Sequence, residues 1–100
     1  MLPSSLRQRV LAGEIESTPV SELGLRGRGV VYLTELWCVS LIDRKSRFLR
    51  KDAHKFIDLL AAVRSRHGET VQGHILVRTA PVCSQARAWL AEQGIGVEQL

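Results

Sequence analysis

The stretch that decides the fold is Trp37-Cys38-Val39-Ser40-Leu41-Ile42-Asp43-Arg44-Lys45, followed at once by Ser46-Arg47-Phe48-Leu49-Arg50-Lys51-Asp52. Its first seven residues alternate, with Trp37, Val39, Leu41 and Asp43 on one face and Cys38, Ser40 and Ile42 on the other, which is the period of a strand. An apolar strand therefore runs straight into a charged segment. If the alternation continues, Asp43 and Lys45 leave the same face with their backbones about 7 Å apart. A carboxylate placed there can hold a divalent cation, and an ammonium group beside it can orient a water or steady charge on a phosphate. That is the division of labour in metal-assisted phosphodiester cleavage. A plain ion pair at a strand end is the alternative reading of the same residues.

Working upstream, Val30 to Thr34 is β-branched and aromatic and predicts a second strand, paired with the first through a turn near Glu35 and Leu36. No Asn-Gly or Asp-Gly dipeptide marks that turn. Glu14 to Gly29 is irregular, with Pro19 and three glycines, and predicts a loop or a short edge strand. Before it, Leu6, Val10 and Leu11 form a helical stripe capped by Ser4 or Ser5 and stopped at Gly13.

Downstream, Asp52 is the expected cap of a helix bearing Ala53, Phe56, Ile57, Leu60 and Val63. Arg64, Arg66 and His67 suit its C-terminal dipole, and Gly68 ends it. Val71 to Thr79 holds the buried-strand run Ile75-Leu76-Val77. Ser84 caps a helix with Ala86, Trp89 and Leu90 that Gly94 ends, and Ile95 to Gln99 forms a last strand. The fold class is thus α/β, one small domain over residues 1–100, with a mixed sheet flanked by helices in the order α-β-β-α-β-α-β.

Charge is concentrated where the strand ends. Between Arg26 and Lys55 stand eight basic residues (Arg26, Arg28, Arg44, Lys45, Arg47, Arg50, Lys51, Lys55) against Glu35, Asp43 and Asp52. That segment carries +5 of a formal net charge of +4, so the other seventy residues sum to −1. A concentrated positive field favours a polyanion, most simply DNA or RNA, through counterion release. The apolar runs are too short to cross a bilayer, and Met1 to Val10 carries two arginines and no long apolar core, so no secretory signal is expected. Two cysteines without CxxC spacing do not make a disulfide framework. A soluble cytoplasmic domain is the expectation.

The element order from Val39-Ser40-Leu41-Ile42-Asp43-Arg44-Lys45 through the helices to Gly94-Ile95 resembles the PD-(D/E)XK nuclease-like (restriction-endonuclease-like) fold, over roughly residues 30 to 97. The resemblance implies that Asp43 is the motif acid and Lys45 the motif lysine, with Mg²⁺ as the cofactor. It also implies an earlier acid, and no Asp precedes Asp43. Glu35 and Glu22 are the upstream carboxylates available, and Glu14 or Glu16 would supply the extra acid some members carry. A second, lower-ranked resemblance, carried by Ile42-Asp43-Arg44-Lys45-Ser46-Arg47-Phe48, is to the first catalytic strand of DDE recombinases. Val77-Arg78-Thr79 lacks the acid that family expects next.

Other residues read more simply. Cys83 before a helix resembles a glutaredoxin thiol, but position 80 is Ala80 rather than a second cysteine, and a half-buried thiol is the simpler reading. Cys38 alternates into the core. His54, His67 and His74 show no zinc spacing, and a strand histidine such as His74 is expected to be hydrogen-bonded. Trp37 and Trp89 read as core, with base stacking as the alternative. Gly24, Gly27 and Gly29 with Arg26 and Arg28 form either a phosphate cradle or a flexible turn.

Two functions follow. In the first, the chain binds nucleic acid through Arg26, Arg28, Arg44, Arg47, Arg50 and Lys51, with metal-dependent phosphodiester hydrolysis as its chemistry. Asp43 and Glu35 (or Glu22) would then hold Mg²⁺, and Lys45 would place the water. In the second, the chain is a catalytically inactive nuclease-like protein, a module that pairs with a protein partner or a second copy of itself.

Overall fold

The computed structural model describes residues 2–25, 29–43 and 45–100. In chain order the elements are α1 (Ser4–Leu11), β1 (Ser17–Pro19), a short 3-10 turn (Val20–Leu23), β2 (Val30–Leu33), β3 (Trp37–Asp43), α2 (Arg50–His67), β4 (Gln72–Arg78), α3 (Ser84–Glu92) and β5 (Gly96–Gln99). They build one five-stranded sheet in the order β1-β2-β3-β4-β5. β1, β2 and β3 run antiparallel, while β3, β4 and β5 run parallel. The mixed α/β architecture expected from the alternation of elements is therefore the one observed. None of the described helices is long and apolar enough to cross a membrane.

The hairpin between β2 and β3 closes without a glycine turn because Thr34 supplies the chemistry. Its N–H donates to the Trp37 carbonyl at 2.9 Å, and the Trp37 N–H donates back to the Thr34 hydroxyl at 3.1 Å. The loop between them is Glu35-Leu36. β1 is an edge strand of three residues, its ladder broken off at Pro19, which has no N–H to offer.

Alternation along β3 sorts the core into two. Cys38, Ile75 and Val77 face α2 and α3, where Phe56, Leu60, Val63, Ala86 and Leu90 pack on them. Val39 and Leu76 face the other way and are covered by Leu2, Leu6 and Val10 on and before α1, with Ile15 after it. Gly73 on β4 lets α2 come close: a Cβ there would stand 2.8 Å from the Phe56 ring and 2.9 Å from Leu60. Burial among these groups pushes the Cys38 thiol up to about 12, against a weaker opposing pull from Arg64.

Four local expectations are revised. Pro3, not a serine, precedes α1, and its fixed φ suits that position. Cys83, not Ser84, is the residue before α3, and Ser84 is its first helical residue. Asp52 is the third residue of α2 rather than its cap, and its carboxylate accepts the Leu49 N–H at 2.8 Å. His74 is buried, yet its Nε2 has no hydrogen-bond partner. The nearest acceptor is Glu98 Oε1 at 3.4 Å, and Glu98 is itself held by Arg7 of α1 at 2.9 Å.

Candidate nucleic-acid interface

Parallel strands deliver their following loops to one end of a sheet, the end where open α/β folds bind ligands. Here β3 ends at Asp43 and β4 at Arg78, directly paired in the parallel register. The loops after them are joined as a short extension of the sheet. The Phe48 N–H donates to the Pro81 carbonyl at 2.9 Å, and the Cys83 N–H donates to the Phe48 carbonyl at 3.0 Å. Phe48 itself is 1% exposed, and burying a ring of that size stabilises by about 2–3 kcal/mol. This anchor sets the starts of α2 and α3 beside the strand ends.

The charged residues of this rim are exposed: Asp43, Lys45, Arg47, Arg50, Lys51 and Arg78. Asp52 is the other carboxylate at the start of α2, and it is engaged with the Leu49 N–H. The Ala86 and Gln85 N–H groups at the α3 N-terminus draw the Cys83 pKa down; burial opposes them, and Arg47 and Arg50 add pulls smaller than either. Thr79 has a positive φ of 75°, uncommon for a β-branched residue, and turns the chain sharply after Arg78.

The sequence-predicted site is brought together only in part. Arg26, Arg28 and Arg44 lie outside the described residues. β3 stops at Asp43, and Lys45 follows in a bend, so strand alternation does not extend to Lys45. Glu35, expected to share a cation with Asp43, sits in the hairpin loop at the other end of β3. Six strand steps separate the two ends, about 20 Å. Glu22 is at the far side as well: Arg66 in the last turn of α2 donates to its carbonyl at 2.6 Å. The β1 register puts Ser17 opposite Tyr32, so Glu16 continues toward the Glu35 end of the hairpin. Every Asp and Glu of the chain is among the described residues, and no group of three or more His, Cys, Asp or Glu there is placed to hold a metal ion. Asp43 and Glu35 thus stand at opposite ends of β3.

What stands beside Asp43 instead is a cation. Arg78 Nη1 lies 3.9 Å from Asp43 Oδ2, with both side chains about half exposed. Sequence reasoning passed over Arg78 as the place where an acid was wanted. The available signal was that two apolar strands, Val39 to Asp43 and Ile75 to Arg78, each end in a charged residue, and parallel pairing sets such ends side by side.

No protein-family model matches the chain, and no curated protein does. Among solved structures it is similar to EndoMS in complex with double-stranded DNA. The TM-score is 0.55 at 19% identity, covering 76% of this chain and 33% of the EndoMS chain. The chain thus spans about a third of the length of that protein. At this identity the likeness is one of fold, and it agrees with the mixed α/β architecture that the order of elements implied.

Proposed function

We propose that this chain is a nucleic-acid-binding domain that grips the phosphate backbone of duplex DNA at the C-terminal end of its parallel strands. The observation that carries the reading is the gathering of Lys45, Arg47, Arg50, Lys51 and Arg78 around two strand ends and two helix starts, against Asp43 and Asp52. The likeness in fold to a protein bound to double-stranded DNA supports duplex DNA over other polyanions. Contacts of this kind neutralise phosphates and position the partner without reading sequence. Arg47, Arg50 and Lys51 each take a phosphate, and the half-buried Trp89, which packs on His54 with ring centroids 4.3 Å apart, stays in its structural role. Because Glu35 and Glu22 lie at the other end of the sheet from Asp43, we assign binding rather than cleavage.

Fluorescence anisotropy on a short labelled duplex, titrated over a range of salt, tests the proposal. Each phosphate contact contributes about 0.9 to the slope of log K against log salt, so replacing Arg47, Arg50 and Lys51 together by alanine lowers the slope by about 2.7. Incubation with DNA and RNA, with and without Mg²⁺ or Mn²⁺, is expected to leave both intact. Failure of the unaltered protein to bind at low salt would overturn the assignment, and light scattering for self-association would then test the assembly reading.

A further inference from the structure

The seat beside Asp43 is taken by a guanidinium group. Asp43 and Arg78 are register partners on adjacent parallel strands, so their side chains leave the same face of the sheet at the same rim. Their 3.9 Å separation is an ion pair at its outer limit, longer than a charge-assisted hydrogen bond. With 48% and 56% of the two side chains exposed, water competes for both partners and the pair opens at little cost. The turn that follows is defined, because the Ala80 N–H donates to the Arg78 carbonyl at 2.9 Å, which fixes the backbone from which the guanidinium projects. A planar fork of five donors, loosely held by one carboxylate, is well suited to exchange that carboxylate for a phosphate.

We propose that Arg78 binds a backbone phosphate of duplex DNA without any metal ion, and that Asp43 is the counter-charge this phosphate displaces. The inference rests on the nucleic-acid-binding reading above and deepens it by naming the residue at its centre. Asp43 then acts against binding: it neutralises Arg78 in the free protein and repels the incoming phosphate. Removing its charge strengthens the complex, whereas a metal ligand at the same position would show the opposite behaviour.

The experiment compares the unaltered protein with Asp43→Asn, Arg78→Gln and Arg78→Lys on a labelled duplex, in EDTA and in Mg²⁺. Asp43→Asn is expected to tighten binding about threefold or more in EDTA, the size of one unit charge removed a few Å from a phosphate in water. It is expected to tighten binding in Mg²⁺ as well. Arg78→Gln is expected to weaken binding several-fold and to lower the salt slope by about 0.9, and Arg78→Lys to keep that slope. Both positions are exposed, and thermal melts that coincide with the unaltered protein establish that the variants fold. Weaker binding by Asp43→Asn in Mg²⁺ but not in EDTA would overturn the proposal in favour of a metal ligand, and an unchanged salt slope in Arg78→Gln would overturn it outright. If the unaltered protein binds no DNA, it is the broader assignment that falls, so the two failures are distinct.

Discussion

Gly73→Ala asks whether α2 is seated on the sheet as tightly as the structure shows. The added Cβ would lie 2.8 Å from Phe56 Cε2, 2.9 Å from Leu60 Cδ2 and 3.2 Å from Phe56 Cζ. Carbon atoms rest at about 3.5–4.0 Å, so the methyl group is too close by roughly 0.6 Å in two directions at once. Phe56 is 5% exposed and Leu60 2%, so neither side chain can swing into water to make room. The strand or the helix must shift instead. Overpacking of this kind costs about 1–3 kcal/mol. Against it stands the stiffer unfolded chain that alanine gives, worth about 0.4–1 kcal/mol. A net loss of about 1–2 kcal/mol is expected, which lowers Tm by about 4–8 °C per kcal/mol in a domain of this size. Urea titration followed by tryptophan fluorescence measures it, as a lower midpoint at an unchanged slope. Pairing the change with Phe56→Leu should recover part of the loss, because the ring is the closest obstacle. A midpoint for Gly73→Ala equal to or above that of the unaltered protein would refute the argument.

Two further outcomes are expected. Burial lowers the His74 pKa below its ordinary value of 6.5; Glu98 opposes the shift and Arg7 adds to it. The unfolded chain therefore takes up the proton first, and stability is full above about pH 6.5 and falls below it, by at most about 1.4 kcal/mol per pH unit, until the folded form also titrates. Urea midpoints measured from pH 8 downward should show this loss, and His74→Phe, which removes the titrating imidazole, should flatten the profile. The two thiols should separate cleanly: a disulfide reagent at pH 8 reacts with Cys83, drawn down by backbone donors, while Cys38, buried and pushed up to about 12, reacts only in denaturant. Equal rates in the folded protein would contradict the burial described for Cys38.

The elements that carry a strong period were legible in the sequence. Trp37–Asp43 has the bounds its alternation implies, because a strand with one face under α2 and the other under α1 must place an apolar residue at nearly every position. What escaped was chemistry that periodicity does not encode. The Thr34 hydroxyl replaces a glycine turn, and a Thr in a strand-like run gives no sign of it. Asp52 was visible as a helix-start residue, but which N–H it meets depends on where the loop from Asp43 runs. Phe48, paired with Val82, fixes that path. β1 stays open in the sequence between a loop and a short edge strand around Pro19, since three residues are too few to show an alternation.

The same limit explains the site. Asp43 and Lys45 attracted attention because they are close in sequence, and short spacing is what a motif records. The residue that the structure sets against Asp43 is thirty-five positions away, brought there by the crossover through α2 and the register of two parallel strands. A carboxylate that ends a strand among cations has two chemistries open to it, and its neighbour decides between them. Beside a second carboxylate it concentrates a divalent cation; beside an arginine it is already compensated, and a further cation gains less from approaching it. With Glu35 about 20 Å away along β3 and Arg78 at 3.9 Å, Asp43 has the second kind of neighbour, the arrangement on which the proposed phosphate contact rests.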